Sequence, residues 1–129
     1  MSSEKFKITM NKIQVTDNGE APGKGELYWS LMVDDQEIAA RSVNAPFEVG
    51  DGETIVLGQS GEVTKGSNAT LTVLGSVSEK DSFLKGGDDT ASFKTVYTSA
   101  NNFGVGSHTV RLSDGKHLDV SVDYSIARG

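Results

Sequence analysis

Apolar and polar residues alternate along much of this chain with the two-residue period of a strand that is buried on one face and wet on the other. The last segment, "KHLDVSVDYSI", shows it most clearly, with Leu118, Val120, Val122, Tyr124 and Ile126 interleaved with His117, Asp119, Ser121, Asp123 and Ser125. Ahead of it, Asp114-Gly115 in "LSDGKH" supplies a hairpin turn between two strand-like segments. Near the N-terminus Phe6, Ile8 and Met10 share a phase that Ile13 and Val15 do not, which predicts a bulge or a sheet crossing around Asn11 and Lys12. Leu27, Trp29, Leu31 and Val33 form another apolar face, and Leu71, Val73, Gly75 and Val77 a further one. Additional strands are expected near Glu37 to Val43, Glu53 to Leu57, Ala91 to Thr98 and Gly106 to Leu112. No helical periodicity is present. Polar, glycine-containing turns recur roughly every eight to twelve residues, the spacing of a sandwich or barrel. An all-β, eight-stranded antiparallel β-sandwich accounts for nearly all the apolar residues.

Composition acts mainly by exclusion. At 129 residues the chain suits one buried core, so residues 1–129 read as a single domain. No internal repeat, linker or low-complexity tract divides it. The absence of cysteine removes disulfides, thiolate nucleophiles and sulfur-based zinc sites. The longest apolar runs are only a few residues, too short for a membrane span, and the opening "MSSEKFK" lacks the apolar stretch of a secretory signal. A soluble, cytoplasmic protein is the expectation. A formal charge of -6 and an isoelectric point near 4.8 oppose attraction to phosphate backbones, so no nucleic-acid partner is expected.

The acids are unevenly placed. "TDNGEAPGKGELYW" puts Asp17, Glu20 and Glu26 around one loop, and "SVSEKDSFLKGGDDTASF" puts Glu79 and Asp81 just after a strand, with Asp88 and Asp89 closing the next loop. Carboxylates at i and i+2 leaving a strand end point the same way, so Glu79 and Asp81 can hold one ion between them. Hard divalent cations such as calcium take six to eight oxygens, which two neighbouring acidic loops can supply. The same residues serve equally well as solvated turn formers, because Asp and Gly are the commonest of these. Residue types alone leave both readings open.

The order of these features resembles the C2 domain family, the calcium-dependent membrane-binding β-sandwich. That family's first loop has the form Asp-x-x-Gly-x-Ser-Asp-Pro-Tyr. "EAPGKGELY" keeps its spacing, with Glu20 and Glu26 for the aspartates, Gly23 for the glycine and Tyr28 for the tyrosine. The family's third loop runs Asp-x-Asp and then a further Asp, for which "EKDSFLKGGDD" offers Glu79, Asp81 and Asp88 or Asp89. Several aspartates are replaced by glutamate or displaced, and the proline is Leu27, so the resemblance is to a divergent member. It implies bound Ca2+ held by Asp17, Glu20, Glu26, Glu79, Asp81, Asp88 and Asp89, coupled to an anionic membrane surface or a protein partner. At the tip of the third loop, Phe83 and Leu84 beside Lys80 and Lys85 suit shallow insertion at a headgroup boundary. Some family members have lost their ligands and act as interaction modules, so a calcium-independent structural or adaptor domain is the alternative.

Other chemistries find little footing. "GGDDTASF" is a single fragment of a nonapeptide calcium repeat that needs stacked copies. The spacing after Asp17 and the β context do not fit an EF-hand. "GKGEL" precedes a strand and so lacks the helix N-terminus of a phosphate cradle. "NAT" at Asn68 reads as a turn. His108 and His117, the only histidines, read as surface residues on strands. No nucleophile elbow or paired-histidine motif is present, and no small-molecule substrate is evident, so the chain is expected not to be an enzyme.

Overall fold

The computed structural model describes residues 3–18, 25–80, 89–115 and 118–129. They form strands β1 (Ser3–Asn18), β2 (Gly25–Val33), β3 (Gln36–Arg41), β4 (Phe47–Val49), β5 (Thr54–Gly66), β6 (Leu71–Glu79), β7 (Asp89–Tyr97), β8 (Gly106–Ser113) and β9 (Leu118–Arg128). A short 3-10 segment, Ser99–Gly104, joins β7 to β8. One antiparallel sheet has the order β5-β1-β9-β8, and the other has the order β3-β2-β6-β7, with β4 also pairing β2. This is the expected sandwich. The eight anticipated strands are present, and β4, only three residues long, is added to them.

The two inner faces are the apolar phases of the sequence. Phe6, Ile8, Met10, Ile13 and Val15 are fully buried, and the ladder shifts register between Met10 and Lys12, where the change of phase places a bulge. Leu118, Val120, Val122, Tyr124 and Ile126 flank them on β9 in the same sheet, and Leu27, Trp29, Leu31 and Val33 face them from β2 in the other. Burying such side chains contributes roughly 1.5–3 kcal/mol each, so the alternation itself dictates the layering. Gly75 lets two strands approach, since a Cβ there would lie 2.6 Å from the Ser30 carbonyl oxygen.

A polar seam ties the layers together away from the acidic loops. The Tyr97 and Tyr124 hydroxyls hydrogen-bond at 2.6 Å across the core. His108 stacks on Tyr124 at 5.1 Å and lies 5.2 Å from Tyr97, and its Nε2 bonds the Gly104 carbonyl at 2.5 Å. His108 is therefore half-buried rather than a plain surface residue, because it shares the inward phase of Val110 and Leu112. His117 lies outside the described residues.

Candidate loop site and its relatives

Strand register gathers the candidate residues at one end of the sandwich. There β1 ends, β2 begins, β6 ends and β7 begins, with Leu27 opposite Glu79 and Glu79 opposite Asp89. The turn between β4 and β5 closes on the same end, where Gly52 N–H donates to the Val15 carbonyl at 2.7 Å and Val15 N–H to the Glu53 carbonyl at 2.9 Å.

Glu79 and Asp89 form the inner part of this end. By alternation Glu79 follows Leu71, Val73 and Val77 onto the core-facing side and is only 3% exposed. Asp89 shares that side with Ala91 and is half-buried. Residues directly opposite in an antiparallel ladder have Cβ atoms about 4.5–5.5 Å apart, close enough for two carboxylates to share a cation. These two strand ends are the roots of the segment that carries Asp81 and Asp88.

Glu26 points the other way. It sits between Gly25 and Leu27, both buried, so its side chain faces the outer surface of β2. Glu48 lies opposite it on β4, and on the far side Lys80 N–H donates to the Glu26 carbonyl at 2.8 Å, continuing the ladder. The half-buried Lys80 thus stands beside Glu26 on that outer row.

Asp17 belongs to the other sheet. A register shift between Val15 and Asp17 sets Asp17 opposite Asp119 on the outer surface. Arg111 grips Asp119 with two bonds, Nε to Oδ1 at 2.9 Å and Nη2 to Oδ2 at 2.8 Å. Those hydrogen bonds hold the Asp119 carboxyl below its usual range against the opposing pull of slight burial, and they raise the Arg111 guanidinium correspondingly. Asp17, Thr16, Ser113, Arg111 and Asp119 line a cavity of about 440 Å³.

The structure therefore brings Glu79 and Asp89 together and places Glu26 and Asp17 on two different outer surfaces. Glu20, Asp81, Asp88, Phe83, Leu84 and Lys85 lie outside the described residues. Among the described residues no three His, Asp or Glu side chains converge on a cation position. The Glu79 and Asp89 pair supplies hard carboxylate oxygens at a loop mouth, the donor type of which a calcium ion takes six to eight. Among the described residues no helix is long and apolar enough to cross a membrane.

No protein-family profile matches the sequence, and no curated protein matches it. Solved structures do match it in fold. A C2 domain of plant extended synaptotagmin 1 is 7% identical, with the match covering 98% of this chain and 95% of that one at a TM-score of 0.50. CC2D1B, described as coordinating ESRCT-III activity during the mitotic reformation of the nuclear envelope, is 11% identical over 98% of this chain and 55% of its own, at a TM-score of 0.57. Human GIVD cytosolic phospholipase A2 is 10% identical over 99% of this chain and 18% of its own, at a TM-score of 0.53. With its strand order, its two antiparallel sheets and this likeness, the chain has the fold of a divergent C2-like β-sandwich.

Proposed function

We propose that residues 1–129 form one calcium-binding β-sandwich module whose acidic end couples Ca2+ to docking on an anionic membrane surface or a protein partner. The observation that carries this reading is the register that sets Glu79 opposite Asp89 on the inner side of the sandwich end. Both stand at the root of the segment that supplies Asp81 and Asp88. Unneutralised, this crowd of carboxylates repels anionic lipid. Bound calcium supplies positive charge and open coordination positions for phosphate oxygens.

The chain's own residues do the rest. Glu79, held between β2 and β7, and Asp89 act as a rigid inner pair, while Asp81, Asp88 and Glu20 complete the oxygen set from the loops. Lys80 and Lys85 flank Phe83 and Leu84, so the loop tip meets the surface with cations outside and apolar groups at its centre.

The alternative, a calcium-independent interaction domain, draws on the orientation of Glu26 and Asp17. Both face outer surfaces, and neither adds to the Glu79 and Asp89 pair. Sedimentation with phosphatidylserine-containing vesicles, with calcium and with chelator, separates the two readings. Calcium-dependent recovery in the pellet that Asp81→Asn abolishes supports the module as proposed. Equal recovery in both conditions, or none in either, together with no calcium binding by titration calorimetry, sinks it in favour of the alternative.

A further inference from the structure

Besides the three-residue β4, four strands lie at the edges of the two sheets, and three of them are guarded against further pairing. β3 and β5 abut each other, with the Ile38 and Gln36 side chains filling the space where Gly61 would carry a Cβ. β7 presents Lys94 near its middle on the outer face, a charge that discourages an added strand. β8 is different. Its residues, Gly106–Ser113, pair with β9 in unbroken register, and no other strand pairs with it among the described residues. It contains no proline, lysine or bulge.

The arginine on β8 does not guard this edge. Arg111 holds Asp119, which stands opposite Ser113 on β9, so it leans back over its own sheet. On the inner side of the edge His108 and Val110 are only half-buried. Phe93 of β7 is half-buried too, and its ring stacks on Tyr124 at 6.2 Å as that of His108 does at 5.1 Å. A row of backbone N–H and C=O groups that no strand pairs, beside a half-open apolar strip, suits one kind of ligand. That ligand is an extended backbone with apolar side chains at alternate positions.

The outer side of the edge selects the residue that comes between those apolar positions. Thr109, short and exposed, stands opposite Asp123 on β9. Asp123 pairs with Lys12 at 3.6 Å, beyond hydrogen-bond distance, and keeps acceptor capacity for a second cation. A strand added to β8 would lie two strand spacings from β9, roughly 10 Å. A lysine or arginine on it, opposite Thr109, leans across that short side chain to Asp123, while Arg111 is drawn towards the Ser113 end. A glutamate in the same place is repelled by Asp123. The net charge of -6 acts in the same direction, since it attracts a basic segment and opposes pairing of β8 with a second copy of the chain.

We propose that β8 is a docking edge for an extended segment of a protein partner in which a basic residue stands between two apolar ones. Its backbone continues the sheet beyond β8, its apolar side chains lie opposite His108 and Val110 and cover Phe93, and its basic side chain, opposite Thr109, reaches Asp123. The edge needs no calcium, so this docking stands independently of the loop end.

The test uses the full chain in chelator, with shifts and hydrogen exchange of backbone amides followed by nuclear magnetic resonance. The probes are three end-blocked peptides with threonines at both ends: one with Val-Lys-Val at its centre, one with Val-Glu-Val, and the lysine peptide with its three central nitrogens methylated. Saturable shifts and slowed exchange along β8 are expected with the lysine peptide, which should bind about three-fold or more tighter than the glutamate peptide. The methylated peptide, which cannot continue the ladder, should not bind. Thr109→Lys, at an exposed position, should move the preference to the glutamate peptide, and Asp123→Asn should make the two peptides bind alike. The proposal is overturned if no saturable change appears at millimolar peptide, if the methylated peptide binds as well as its parent, or if the glutamate peptide binds the unaltered chain as tightly as the lysine peptide. Concentration-dependent changes at the same amides without any peptide would assign the edge to a second copy and overturn it as well. Because the chelator silences the loop end, such a failure leaves the calcium reading standing.

Discussion

Replacing Gly75 by alanine tests the packing of the second sheet at its tightest point. Gly75 lies mid-strand in β6, opposite Leu31 on β2 and Phe93 on β7. An added Cβ would sit 2.6 Å from the Ser30 carbonyl oxygen, 2.7 Å from Leu31 Cδ2 and 3.1 Å from Leu31 Cα. Ordinary contact begins near 3.4 Å, so the nearest atom is 0.8 Å too close. Two of the three neighbours are backbone atoms of β2, which is hydrogen-bonded on both sides, so relief requires strands to part rather than a side chain to turn. Overpacking of this kind costs about 1–3 kcal/mol, even though alanine is otherwise the better strand residue. For a chain of this length that is a fall in Tm of roughly 4–12 °C. Gly66→Ala is the matched control, since nothing lies within 4 Å of its Cβ position, and it should be neutral or stabilising by about 0.4–1 kcal/mol. Urea and thermal unfolding followed by circular dichroism read both variants. A Gly75→Ala midpoint within about 0.5 kcal/mol of the parent would mean that β2 and β6 are not closely packed at Gly75.

Three other perturbations test separate parts of the fold. Burial, reinforced by the hydrogen bond with Tyr97, holds the Tyr124 phenol well above its ordinary value of 10.0. Its stabilising contribution is therefore complete below about pH 10 and lost as pH rises further. Tyr124→Phe should flatten that alkaline loss in urea midpoints measured between pH 8 and 11, and an unchanged slope contradicts it. Asp34, in a left-handed turn with φ of 54°, accepts from Thr72 N–H at 3.1 Å and pairs with Lys65 at 2.6 Å. Asp34→Ala should cost about 1–3 kcal/mol, and Asp34→Asn distinctly less because it keeps an acceptor and tolerates the turn; equal losses would show that the backbone bond contributes nothing. Arg111 lowers the Asp119 carboxyl, so that contribution is present above about pH 4 and lost as pH falls through the folded-state value. Asp119→Asn should flatten the acid limb of the stability profile, and an acid limb as steep as before rules the pair out as its source.

What the sequence reveals depends on how strongly each strand is one-sided. β2 and β9 alternate cleanly because one face of each is core and the other is wet, and β1 betrays its bulge through a change of phase. The second half of β5, "QSGEVTKG", pairs with β1 along an edge and puts only Val63 against the core, so its strand character leaves almost no apolar trace. β4 is too short to show a period. At the loop end the directions of the acids were partly legible. Glu26 precedes Leu27, which shares a face with Trp29, so alternation already sends Glu26 outward, and the same argument sends His108 inward with Val110 and Leu112. Asp17 was not legible, because its direction depends on a register shift after Val15 that no residue pattern announces.

Calcium binding at the loop end is best read from the response of unfolding to the ion. Thermal midpoints should be compared in millimolar calcium, in the same concentration of magnesium, and in chelator, for the parent chain and for Asp81→Asn. At about a hundred times its dissociation constant a ligand adds about 2.7 kcal/mol, a rise of several degrees for a chain of this size. Calcium alone should raise the midpoint, and Asp81→Asn should remove the rise. Three superimposed curves for the parent chain at neutral pH would contradict it, leaving Glu79 and Asp89 as parts of a sandwich that is complete without the ion.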